Sequence, residues 1–167
     1  VNFGLIYGMS AYGLSKQLGL DRADAQSLID RYFLKYPGVL TYMNTVRQRA
    51  EQYGYVETLL GRKLYMPHAQ SKNGMEKQAA LRAAINAPMQ GTAADIIKLA
   101  MLSIDQSMQN FDYQMTVQVH DELVFEVNET ECSDFMVSVK ELMEGVFKLK
   151  VPLCVNVASA DNWESAH

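Results

Sequence analysis

Two periodicities alternate along this chain. Ala25, Leu28, Ile29, Tyr32 and Phe33 recur at helical spacing until Pro37, behind an Asp21/Asp24 pair placed like a capping box. Leu40, Met43, Val46 and Ala50 line one face of a second helix, from about Val39 to Tyr53, that stops at Gly54; the two helices read as an antiparallel pair. The pattern then switches to period two. Tyr55 to Leu59 and Arg62 to Met66, around a Leu60-Gly61 turn, predict a small hairpin closed by Pro67, followed by a polar, mobile loop from His68 to Gly74.

Helical spacing returns at Met75 and is interrupted by Pro88; beyond it Met89, Ala93, Ile97, Ala100, Ile104 and Met108 predict a long helix with a core face. Met115, Val117 and Val119 alternate with polar residues, as do Leu123, Phe125 and Val127, which predicts a second hairpin. A helix from about Glu131 to Phe147 buries Phe135, Val139, Leu142 and Val146, and a last strand runs from Leu153 to Val157. With no repeat or linker, the order is that of one α+β domain.

The second hairpin carries the local conflict. Asp121 and Glu122 sit where its turn should be, with no Gly or Asn to supply a positive φ. Adjacent acids repel and pack nothing. Two readings stand: an exposed polar turn, or carboxylates on a rigid scaffold holding a hard cation such as Mg²⁺, which takes oxygen ligands. Upstream, Arg82, Asn86 and Gln90 fall at four-residue steps, a row of hydrogen-bond donors if the bend at Pro88 preserves the register. Such a row is either solvated or reads the edge of a duplex. Phe3 and Tyr7, also four apart, would share one helical face, with Gly4 leaving the side between them bare.

Composition narrows the classes. At 167 residues and 49% hydrophobic, the chain can bury a core of ordinary size, and no run approaches the ~20 apolar residues of a membrane span. The formal charge of −4 supplies no global basic field, so any phosphate binding has to be local. Cys132 and Cys154 have no metal-ligand spacing and read as packing residues in a reducing, cytoplasmic setting. Arg47 and Arg49 read as the solvated side of their helix, and Arg62 and Lys63 as a solvated turn. Val1, with no leader pattern after it, reads as a start inside a longer protein.

Three segments, Asn2-Phe3-Gly4-Leu5-Ile6-Tyr7-Gly8, Asn86-Ala87-Pro88-Met89-Gln90-Gly91-Thr92-Ala93-Ala94-Asp95 and Gln118-Val119-His120-Asp121-Glu122, occur in this order and spacing. Together they closely resemble the C-terminal end of bacterial family A DNA polymerases, and the resemblance runs the whole length. It implies a right-hand polymerase fold, with residues 1–74 mainly fingers helices and the small hairpin, and 75–167 palm helices, acidic hairpin and C-terminal strand. It implies DNA-directed nucleotidyl transfer in replication and repair, with primer-template DNA, deoxynucleoside triphosphates and the upstream part of the same polymerase as partners.

By the same resemblance, Phe3 and Tyr7 contact the incoming nucleotide and Asp121 binds the catalytic Mg²⁺, with Glu122 beside it. Arg82, Asn86, Gln90 and His120 track primer and template. The setting it implies is bacterial, cytoplasmic and nucleoid-associated. The other metal-binding Asp and the triphosphate-binding Arg and Lys belong before Val1, so the isolated chain is expected to be inactive and its acidic hairpin to carry an unpaired edge. Two other readings are a non-catalytic duplex-DNA-binding module and, weakest, a metal-dependent hydrolase using His120, Asp121 and Glu122.

Overall fold

The computed structural model describes residues 2–166, with side chains from Gly4 onward. Helix α1 (Asn2–Ile6) lasts little more than one turn. Gly8, at φ 78°, closes it: its N–H donates to the Leu5 carbonyl at 3.0 Å, and Met9 N–H to that of Gly4 at 2.8 Å. Tyr7 lies in the turn directly after the helix, and the expected pairing with Phe3 falls outside the described residues, which do not include the Phe3 side chain.

Helix α2 (Ala11–Leu18) starts on the Ser10 hydroxyl, and α3 (Arg22–Lys35) on Asp21, whose Oδ1 accepts from the N–H groups of Ala23 and Asp24 at 2.7 and 2.9 Å. Such a cap contributes about 1 kcal/mol. Pro37 does more than end α3. It occupies the first turn of α4 (Pro37–Tyr53), where a missing N–H costs nothing, so that helix starts before the residue its apolar spacing predicted. Leu5, Leu14, Ala25 and Ile29 close one small core between these pieces.

Strands β1 (Tyr55–Glu57) and β2 (Lys63–Tyr65) pair antiparallel, and Gly61 in the intervening turn has φ 83°. Val46, Ala50, Val56, Ala69, Leu81 and Ala84 form a second core. Ala69 belongs to a 3-10 turn (Pro67–Gln70), and Gln70 Nε2 donates to the Glu51 carbonyl at 3.0 Å. The segment expected to be a polar, mobile loop is thus anchored at its start by a buried side chain. Composition alone hides that, because one alanine among polar neighbours carries no period.

Helix α5 (Gly74–Ser107) is unbroken, with Pro88 inside it. Tyr42 donates its hydroxyl to the Ile85 carbonyl at 3.0 Å, and burial pushes that hydroxyl's pKa up. The chain divides into two compact units, one ending at Thr92 and the other starting at Ala93.

In the second unit, β3 (Tyr113–Val119) and β4 (Glu122–Val127) form the other antiparallel pair, followed by α6 (Cys132–Gly145) and a short α7 (Trp163–Ala166). Its core is Ile104, Met108, Phe135 and Val139. Phe135 stands among three rings, with centroids of Tyr113, Phe125 and Phe111 at 5.0, 5.3 and 5.7 Å. The apolar stripe expected from Met89 onward is buried only towards its end, at Ala100, Ile104 and Met108; Met89 and Ala93 are exposed.

Leu153 to Val157 do alternate between half-buried and exposed, but they form no strand among the described residues. Alternation records which side faces the core, whereas a ladder needs a neighbouring backbone. Here Val155 N–H donates to Glu144 Oε1 at 2.9 Å instead. Both cysteines are free thiols, and Cys154 is exposed rather than packed. No described helix is long and apolar enough to cross a membrane.

Candidate functional site

The acidic hairpin differs from its sequence reading in two ways. Val119 pairs with Glu122, so the loop is His120-Asp121 and Glu122 is the first residue of β4. The positive φ that a two-residue loop needs falls on His120, at 51°. A non-glycine residue there costs about 1–2 kcal/mol. Gln118 offsets part of that by donating from Nε2 to the His120 carbonyl at 2.7 Å. The strained residue is thereby held from within the same hairpin, and Asp121 follows it, exposed.

The second difference is a bulge. Met115 pairs with Phe125, but Val117 pairs with Val124, leaving Thr116 as an extra residue whose hydroxyl donates to the Val124 carbonyl at 3.1 Å. Directly opposed residues share a face, so the bulge exchanges the faces beyond it. Tyr113, Met115, Leu123, Phe125 and Val127 pack against the core, while Val117 and Val119 turn to the other side with Val124 and Glu122. Strict alternation had put Met115, Val117 and Val119 together.

Arg82, Asn86 and Gln90 follow one another along unbroken α5, so the register between them survives Pro88. Arg82 and Gln90 are exposed, and neither side chain is bonded to another described residue. Asn86 is half-buried, and its Oδ1 is shielded from solvent with no hydrogen-bond partner among the described residues. An acceptor left that way costs about 1–3 kcal/mol, which marks the position as one awaiting a donor.

The Gly8 turn meets this helix. A Cβ at Gly8 would stand 3.4 Å from an Arg47 guanidinium nitrogen, 3.4 Å from Ile85 Cδ1 and 3.6 Å from Arg82 Cγ. Arg47, read as solvated, is instead half-buried, with its guanidinium beside the Gly8 turn. Tyr7 is 40% exposed beside it in sequence.

Sequence reasoning also missed a polar knot on α5. Thr58 and Thr92 are buried, Arg62 Nη2 donates to the Gly91 carbonyl at 2.9 Å, and Leu59 N–H donates to Thr92 Oγ1 at 3.0 Å. Arg62 is exposed, as expected of a turn residue, but its guanidinium is also tied to this helix. Its partner is a backbone carbonyl far along the chain, which no side-chain pattern announces.

Among the described residues no three His, Cys, Asp or Glu side chains converge in a way that could hold a metal. The donor chemistry of Asp121 nonetheless fits Mg²⁺, which is held by one or two carboxylates and otherwise by water and phosphate oxygens. The hydrolase reading, which needs three ligands from His120, Asp121 and Glu122, has no such cluster behind it.

Residues 1–165 match the family model described as DNA polymerase family A. The chain is 53% identical to DNA polymerase I of Pseudomonas aeruginosa over its full length, covering 18% of that protein. It is 45% identical to DNA polymerase I of Deinococcus radiodurans over 98% of its length, covering 17% of the relative. It thus spans less than a fifth of the curated relatives it matches. In structure it superposes on the polymerase domain of Pol1 from M. smegmatis, solved with DNA primer-template and dNTP, with TM-score 0.93 and 42% identity over 99% of this chain and 30% of that one. With the family model matched from residue 1 to residue 165 and relatives similar over nearly all of its length, the chain belongs to DNA polymerase family A.

Proposed function

We propose that this chain supplies fingers and palm elements of a DNA-directed DNA polymerase and acts only within a longer protein, adding deoxynucleotides to a primer 3′-hydroxyl. The observation that carries this reading is the His120-Asp121 loop. A residue strained at φ 51°, pinned by Gln118 and followed by an exposed carboxylate on a two-residue loop, is an arrangement that no packing need accounts for.

Asp121 would hold Mg²⁺, with Glu122 as the adjacent acid. When bound, that ion lowers the pKa of the attacking hydroxyl and neutralises charge on the triphosphate. The chain's own residues do the rest. Arg82, Asn86 and Gln90 would lie along the primer-template minor groove, where every base pair offers an acceptor at similar positions, so amide and guanidinium donors test pair geometry without reading sequence. The unpartnered Asn86 Oδ1 is an acceptor, so in the groove it would take the one donor offered there, guanine N2, or a water. His120 would touch the primer end, and Tyr7 with Phe3 would close on the incoming nucleotide.

The test is extension of a primed template with deoxynucleotides and Mg²⁺, comparing this chain alone, the chain joined to its natural upstream sequence, and that longer protein carrying Asp121→Asn. Extension by the longer protein only, abolished by D121N with DNA affinity kept, is the expected result. Unchanged turnover in D121N would leave the chain a duplex-binding module.

A further inference from the structure

Pro88 sits between Asn86 and Gln90, in the middle of the donor row. A proline inside a helix has no N–H to give, so the Ala84 carbonyl loses its donor, and the ring pushes that carbonyl aside. A helix treated this way kinks by an amount its own backbone does not fix. What surrounds Pro88 then decides where Gln90 stands relative to Asn86.

The turn between β1 and β2 packs on the helical turn that follows it. The Thr92 hydroxyl donates to the Pro88 carbonyl at 2.6 Å and at the same time accepts from Leu59 N–H at 3.0 Å. Arg62 Nη2 donates to the Gly91 carbonyl at 2.9 Å, and the Thr58 hydroxyl accepts from Arg62 N–H at 3.1 Å, fixing the turn itself. Gly91 is where the two elements touch: a Cβ there would lie 2.8 Å from Thr58 Cγ2 and 2.9 Å from Leu64 Cδ1. Two threonines, an arginine and a bare glycine thus converge on the single helical turn that follows Pro88.

Ordinary packing does not require this. An apolar residue at Thr92 would bury the same volume, and a hydroxyl bonded back to the carbonyl four residues earlier favours bending. We infer that the β1–β2 turn is a positioning clamp: through Thr92 and Gly91 it sets the bend of α5 at Pro88 and so the spacing of Asn86 and Gln90. Thr92 and Arg62 are positioning residues for recognition of the primer-template pair and need not touch DNA. The inference rests on the reading of the donor row given above.

The experiment uses the polymerase that carries this chain and measures its Kd for primer-template together with kcat and KM for extending matched and mismatched primer ends. Thr92→Val keeps shape and removes the hydroxyl, Thr92→Ser keeps the hydroxyl, and Arg62→Met removes the second tie. Arg82→Ala and Gln90→Ala report on the row directly.

The expected result is that T92V and R62M each lower discrimination against mismatched ends by about fivefold to tenfold, the size of one misplaced hydrogen bond, while T92S restores it. The inference is overturned if the row variants lose discrimination and T92V stays within about twofold of the unsubstituted enzyme. It is equally overturned if T92V and T92S fail alike with a shared loss of Tm, which would make Thr92 a packing residue. If R82A and Q90A leave both affinity and discrimination unchanged, it is the reading of the row that falls, whatever the clamp variants do.

Discussion

The two hairpins are built from the same parts and settle the same backbone problem in opposite ways. Between β1 and β2 the positive φ falls on Gly61, which has no Cβ to object, and open space surrounds it. Between β3 and β4 it falls on His120, which does object, and a side-chain bond from Gln118 is present to hold it. The first turn uses its polar groups inwardly, on α5. The second leaves Asp121 exposed. A chain that can place glycine at one such position and does not at the other is retaining the side chain for a purpose beyond turning.

That contrast can be broken at several points. The largest effect is expected from Asp121→Asn in the full polymerase. If Asp121 holds Mg²⁺ as proposed, removing its charge should lower kcat about a thousandfold, corresponding to several kcal/mol of transition-state stabilisation, with Tm unchanged or raised. Equal kcat in single-turnover extension would reduce the tip to an ornate turn.

Next is Phe135→Ala, which empties the centre of the aromatic cluster beneath β3 and β4 and should destabilise their unit by about 3–5 kcal/mol in denaturant unfolding. Gly61→Ala should cost about 1–2 kcal/mol, because it creates in the first turn the strain His120 already bears in the second. Smallest is His120→Gly: relief of that strain and the added chain entropy nearly cancel, so stability should shift by less than about 1 kcal/mol while primer extension falls. A stability loss well above that would mean that His120 is a packing residue after all.

Much of this fold could be read before the structure because its helices announce themselves twice, by apolar spacing and by their ends. Asp21 caps α3, Pro37 opens α4 and Gly54 closes it. What could not be read depends on partners far away in sequence or on a single residue. The Thr116 bulge leaves the composition of β3 unchanged and alters only its phase. Leu153 to Val157 have a strand's alternation but no ladder, and Arg62 looks like any turn cation until the Gly91 carbonyl is beside it. The candidate site residues rest on a family pattern, and that pattern carries no sign of the strain at His120, since the sequence put the turn one residue later, at Asp121 and Glu122.

Thr116 also decides where this strand can change length. It stands outside the one-to-one ladder, so removing it would join the Met115–Phe125 and Val117–Val124 pairs in one uninterrupted register and leave every face as it is. Removing a paired residue between the bulge and the tip would instead shift its neighbours by one and exchange their faces. A single deletion should therefore be tolerated at Thr116 and rejected beside it, a constraint on position rather than on chemistry.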